Sequence, residues 1–179
     1  MSTLKIARRY AKALLATAIE QNLDDTIAKD LAAVASMGAN SADFRAMMRS
    51  PVIDGDVKHA VLKEALGSSI HSLTMEFLKL IINKGRGDLW REIVMEYGAL
   101  LDDRKNIERI RVTSAVELGA QERSQIESAV SARLKKTIVA TYVTDPTILG
   151  GAVIRVGDQV LDGSIRHQLH VLKDKLAVA

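Results

Sequence analysis

The strongest constraint in this 179-residue chain is a change of period near Lys105. Before it, apolar residues recur every three or four positions between clear helix stops. After it, Ile110 and Val112 alternate with Arg109, Arg111 and Thr113. Helices bury one face at a period of 3.6 and half-buried strands at a period of two, so the two stretches cannot share one layer. The expected fold is mainly α with a small α/β part: an N-terminal six-helix bundle over residues 1–105 and a small mixed-sheet domain over 106–179.

Local chemistry punctuates the first part. A helix from Leu4 to Gln21 comes first. Asp24 or Asp25 offers an N-cap to a second helix that ends at Gly38, where glycine can turn left-handed. Ser41 caps a brief third helix, which stops before Pro51 because proline forces Ser50 out of the helical region. Asp54 caps a fourth that runs to Leu66. The fifth spans about 69–83 and ends at Gly85, and Asp88 caps a sixth toward Arg104.

In the second part, a helix over about 120–136 carries Ile126, Ala129, Val130 and Leu134 on one face. It separates the first strand from a β-branched one, Ile138 to Val143, which makes the two strands parallel neighbours. Residues 151–161 read as a hairpin turning at Gly157-Asp158. Ser164 then caps a closing helix striped by Ile165, Leu169, Leu172 and Leu176.

Composition removes whole classes of function. Without cysteine there are no disulfides, thiol nucleophiles or cysteine metal sites, which points to a reducing compartment. The longest apolar run, Phe77 to Ile82, is broken by Lys79, whereas a membrane span needs about 20 apolar residues. Lys12 likewise interrupts the only stretch resembling a signal peptide, so the N-terminus is expected to be mature and folded. Residues 1–104 carry 14 basic and 14 acidic side chains, and the remainder 11 and 8, so the +3 net charge belongs to the second part. That asymmetry leaves a basic nucleic-acid adaptor as the alternative reading, but aromatics are only 3%, too few for base-stacking platforms.

No motif supports catalysis. The turn Asn83-Lys84-Gly85-Arg86-Gly87-Asp88 could hold an anion on backbone amides, yet it lacks the strand and hydroxyl of a phosphate loop and reads as a tight interhelical turn. His167 and His170, three apart, have no carboxylate at metal-site spacing. The carboxylate pairs Asp24-Asp25, Asp54/Asp56 and Asp102-Asp103 fall at helix ends, where capping and dipoles explain them. No catalytic, cofactor-binding or metal-ligating residue is assigned.

Two helices carry more apolar surface than one core requires. In the sixth, Leu89, Trp90, Ile93, Val94, Tyr97, Leu100 and Leu101 cover about 140° of arc, an ordinary core face. The first helix adds a second stripe (Ile6, Tyr10, Ala13, Thr17) to that of Ala7, Ala11, Leu14 and Ala18, and widens to about 200°. The fifth, from Ile70 through Phe77 to Ile82, reaches about 220°. Such helices are either central in the bundle or expose part of their apolar face as a groove for a partner helix.

Three segments resemble one family. Ala7-Arg8-Arg9-Tyr10-Ala11-Lys12-Ala13-Leu14, Leu80-Ile81-Ile82-Asn83-Lys84-Gly85-Arg86 and the run from Ile148 to Arg166 are similar to the delta subunits of bacterial and chloroplast F-type ATP synthases, relatives of the mitochondrial oligomycin-sensitivity-conferring protein. The resemblance spans the whole chain and points to a bacterial member. It implies a non-catalytic stator subunit without cofactor, joining the catalytic head to the peripheral stalk at the cytoplasmic face of the inner membrane. It further implies that the N-terminal domain binds alpha-subunit N-terminal helices in a groove of the first and fifth helices, assigned to Tyr10, Ala11, Leu14, Leu78, Ile81 and Ile82. The C-terminal domain would hold the b subunits, assigned to Arg155, Arg166 and Lys173.

Overall fold

Six helices fill the first part of the computed structural model, which describes residues 3–67 and 69–177. They are α1 (Thr3–Glu20), α2 (Asp24–Asn40), α3 (Ala42–Arg49), α4 (Gly55–Leu66), α5 (Ser72–Asn83) and α6 (Trp90–Arg104), the last preceded by a 3-10 turn at Gly87–Leu89. The chain divides into two units, one up to Leu101 and one from Asp102 on.

Several stops act as their chemistry predicts. The Ser41 hydroxyl accepts from the Phe44 N–H at 3.1 Å and opens α3, and the Asp54 carboxylate accepts from the Asp56 N–H at 2.9 Å and opens α4. Others differ. Asp24 and Asp25 lie inside the first turn of α2, whose N-cap is Leu23; they favour the helix through its dipole, not by capping. Asp88 sits within the 3-10 turn instead of capping α6. The fifth helix begins at Ser72, where the His71 Nδ1 accepts from the Leu73 N–H at 3.2 Å. Gly38 does not end α2, which continues to Asn40. It is buried because the Trp90 indole lies against it, and a Cβ there would collide with the ring.

The core of this unit runs from Ala7 through Ile27, Leu62 and Leu78 to Leu101. Trp90 meets Phe44 edge to face with centroids 5.4 Å apart. One buried carboxylate bridges two elements: Asp30 on α2 accepts at Oδ2 from the His71 N–H at 2.8 Å and from the Thr74 hydroxyl at 2.7 Å, joining α2 to the N-terminus of α5. There its charge also meets the positive end of the helix dipole.

The second unit holds β1 (Ile107–Ser114), α7 (Ala120–Leu134), β2 (Thr137–Thr144), β3 (Ala152–Val156), β4 (Gln159–Asp162) and α8 (Ile165–Ala177). The sheet order is β2-β1-β3-β4; β1 and β2 are parallel and the other pairs antiparallel. Alternation holds along β1, where Ile110 and Val112 are buried while Arg109 and Arg111 are exposed. With Val130, Ile126 and Leu134 of α7 they form a small core, from which the expected Ala129 is absent because it is exposed. The helix stops at Leu134, two residues short of the expected Lys136, because Lys135 turns left-handed at φ 55°. Tyr142 joins helix to sheet, its hydroxyl donating to Glu127 at 2.8 Å with the Arg123 carbonyl 3.2 Å away.

The paired glycines before β3 are required by close approach. Gly151 adopts φ +76° with the Gly163 carbonyl where a Cβ would stand, and Ile165 packs on Gly150. The Ser164 hydroxyl accepts from the His167 N–H at 3.2 Å and caps α8. Ile165 and Leu169 of its stripe are 45% and 55% exposed; the side chains of Leu172 and Leu176 lie outside the described residues.

Candidate partner-binding site

Two stripes of like spacing meet between α1 and α5. Tyr10, Ala13, Leu14 and Thr17 line one bank of a furrow, and Leu73, Glu76, Phe77 and Leu80 line the other. Each set follows positions i, i+3, i+4 and i+7, so each lies on one face of its helix. The furrow holds about 350 Å³. Its floor is apolar, since Leu14 and Phe77 are only 4% and 7% exposed, while Leu80 rises on its rim at 46%.

The six residues assigned from sequence separate here. Tyr10, half-buried, and Leu14 border the furrow. Ala11, Leu78 and Ile81 are at most 1% exposed, and Ile82 is also buried, so these four pack inward and present no surface to a partner in this conformation. The rest of the furrow is lined by Ala13 and Thr17 of the second α1 stripe and, on α5, by residues that include Leu73 and Leu80. These two leucines carried a legible signal, because both lie within the over-wide apolar arc but beyond what a core face needs.

Charge borders the furrow on one side. Lys5, Arg8, Arg9 and Lys12 form an exposed strip along α1 that shares Ala13 with the furrow wall. Arg8 reaches Glu96 at 3.8 Å. The opposite bank carries Glu76.

The glycine-rich turn forms one wall of a separate cleft of about 520 Å³ beside the α3–α4 connection. Lys58 is buried there, its ammonium donating to the Ser50 carbonyl at 2.5 Å, at the C-terminal end of α3, where the helix dipole favours a cation. Asp54 and Asp88 line the same cleft. Gly87 approaches the Met48 carbonyl at 3.2 Å from its notional Cβ, so the turn is a packing device.

In the second unit, Arg155 is exposed on β3, while Arg166 and Lys173 are exposed on α8. Arg166 is near enough to help hold the Asp145 carboxyl below its ordinary value, an effect led by the Thr147 hydrogen bonds. Arg109 on β1 is clamped by Asp102, Nε to Oδ2 at 2.5 Å and a second nitrogen to Oδ1 at 3.0 Å.

Comparison with known proteins finds the same architecture elsewhere. The family model for the ATP synthase delta (OSCP) subunit matches residues 6–176. An ATP synthase subunit delta of Chlorobaculum parvum is 38% identical over 176 residues, covering 98% of this chain and 97% of the relative. One from Desulfatibacillum aliphaticivorans is 36% identical over 177 residues, with 98% and 97% covered. Among solved structures, a chain of the Toxoplasma gondii mitochondrial ATP synthase hexamer superposes with a TM-score of 0.72 over 96% of this chain and 97% of its own length; at 21% identity the likeness concerns the fold.

Proposed function

We infer the function from the premise that this chain belongs to the ATP synthase delta (OSCP) subunit family. It is a peripheral-stalk component of the F-type ATP synthase, a stator part and not a catalytic one. No described helix is long and apolar enough to cross a membrane, so as a subunit of this complex it is peripheral to the bilayer.

Beyond this, we propose how the two units divide the work. The first unit acts as a six-helix bundle that receives an N-terminal helix of an alpha subunit in the furrow between α1 and α5. The second holds the b subunits through basic residues among which are Arg155, Arg166 and Lys173. Together they tie the catalytic head to the stalk at the cytoplasmic face of a bacterial inner membrane. Torque from the rotor would turn an untethered head and waste proton flow; a link that bears load at both ends prevents that slip.

One observation carries the head contact: the furrow itself, a concave apolar surface built from matched stripes of two helices. An amphipathic helix recognises such a groove through residues at i, i+3, i+4 and i+7. Tyr10 and Leu14 keep their assigned role, joined by Leu73 and Leu80. Ala11, Leu78, Ile81 and Ile82 act beneath the surface by fixing the spacing of α1 and α5.

The test is calorimetric titration of the full chain with a synthetic alpha-subunit N-terminal peptide at low and high salt. Binding with a negative heat-capacity change is expected, because apolar surface is buried. Tyr10→Asp and Leu80→Asp should weaken it at least tenfold while the fold is retained. Full affinity in both folded variants would sink the furrow assignment.

A further inference from the structure

One face of the sheet in the second unit is covered by α7; on the other, Arg111, Val139, Thr141, Val143, Arg155 and Val160 are all exposed among the described residues. Register defines this exposed face, because strand partners point to the same side. Arg111 on β1 pairs with Thr141 on β2 and with Arg155 on β3, and Arg155 pairs with Val160 on β4. Val139 and Val143 share the face by alternation along β2. These three valines are 40%, 41% and 49% exposed in the order Val139, Val143, Val160.

The arginines in the middle are unusual. Arg111 and Arg155 stand directly opposite one another in antiparallel register, both exposed, and neither forms an ion pair among the described residues. Their neighbour Arg109 is already held by Asp102. Like charges directly opposed across strands destabilise a sheet. A surface facing only water has no use for that opposition, nor for valines on both sides of it.

One occupant relieves both. Carboxylates placed between the two guanidinium groups would turn repulsion into charge-assisted, bidentate hydrogen bonds, and apolar residues beside them would cover the valines. The distance from β2 across β1 to β3 is about 10 Å at ordinary strand spacing, the width of one helix. We infer that this exposed face is a docking surface for an acidic amphipathic helix, its carboxylates between Arg111 and Arg155 and its apolar flank on Val139 and Val143. The inference rests on the reading that the second unit grips the peripheral stalk, and it names Arg111 and the valines as parts of that grip.

The experiment uses the full chain with Arg111→Gln, Arg155→Gln and the double variant. The unfolding temperature is measured, as is affinity for the C-terminal segment of the b subunit at two salt concentrations. Either single variant should melt higher, since the opposition is gone, and the double variant should bind at least tenfold more weakly with a shallower salt dependence. A purely solvated pair would not move stability and binding in opposite directions. Unchanged affinity in the folded double variant overturns the inference; if Arg166→Gln with Lys173→Gln then loses binding, the stalk reading survives without it. If the wild-type chain ignores the b segment, the stalk reading fails and a designed Glu-flanked amphipathic peptide decides the face. Binding of that peptide that the double variant abolishes sustains the face, and no binding discards it.

Discussion

Among the described residues, twenty-two apolar side chains are buried in the core of the first unit, against Ile110, Val112 and Val130 in the second. The first unit is held chiefly by burial. The second replaces missing core with polar ties: Tyr142 to Glu127, Lys136 to Glu108 at 2.7 Å, Arg109 to Asp102, and the carboxylate caps at Asp145 and Asp162. Burial is little screened by salt, whereas exposed ion pairs respond to salt and pH. The two units should therefore fail under different conditions.

The largest expected effect lies in the first unit. Leu78, 1% exposed, should cost about 2–5 kcal/mol on replacement by alanine, whereas Val130→Ala in the second unit should cost about 1–2 kcal/mol. Urea unfolding followed by the single tryptophan, Trp90, reads the first unit alone, and amide signals from β1 read the second. An equal loss at Val130 would break the comparison. Next comes Gly38→Ala, which drives a Cβ into the Trp90 ring; it should lose about 1–3 kcal/mol despite alanine's better helix propensity, with altered Trp90 fluorescence. Tyr142→Phe should cost about 1 kcal/mol, confined to the second unit in hydrogen exchange.

pH sharpens the contrast. Burial pushes the hydroxyl of Tyr97, in the first unit, and of Tyr142, in the second, up to about 12. A group with a raised folded value stabilises fully below its ordinary 10 and loses that contribution as pH rises through about 12. Both units should weaken together in that alkaline window, and absorbance titration should find both tyrosines ionising late. Asp145 and Asp162, both in the second unit, are lowered below 3.8 by hydrogen bonds from Thr147 and Ser164. Their contribution is complete above 3.8 and lost as pH falls through the lower folded value. Acid below about pH 3.8, and not milder acid, should thus loosen the β2–β3 connection and the start of α8, visible as amide exchange at Thr147 and Ser164.

What could be read from sequence follows the range of the interaction concerned. Ser41, Asp54 and Ser164 were legible because a cap is satisfied two or three residues away. The change of period located the sheet, because alternation along β1 is a property of one strand. Gly38 was misread as a helix stop because its role depends on Trp90, far along the chain. Asp30 carries its own signal, a carboxylate on the apolar stripe of Ile27, Leu31 and Val34, but its partners His71 and Thr74 lie far along the chain. The furrow was half legible: the wide apolar arcs of α1 and α5 belong to the two helices that line it. The exposed side, however, is set by what α2 and the rest of the core cover, so Ala11, Leu78, Ile81 and Ile82 proved to face inward.

One hydrogen bond bears on the history of each molecule. The Tyr97 hydroxyl donates to the Asp24 carbonyl at 3.0 Å, across 73 residues of sequence. The seam of the first unit therefore cannot close while its early helices are emerging from the ribosome. At about 5–20 residues per second, synthesis leaves the apolar faces of α1 and α2 uncovered for several seconds. The faces of α1 and α2 that end in the core are thus the surfaces most in need of protection at birth.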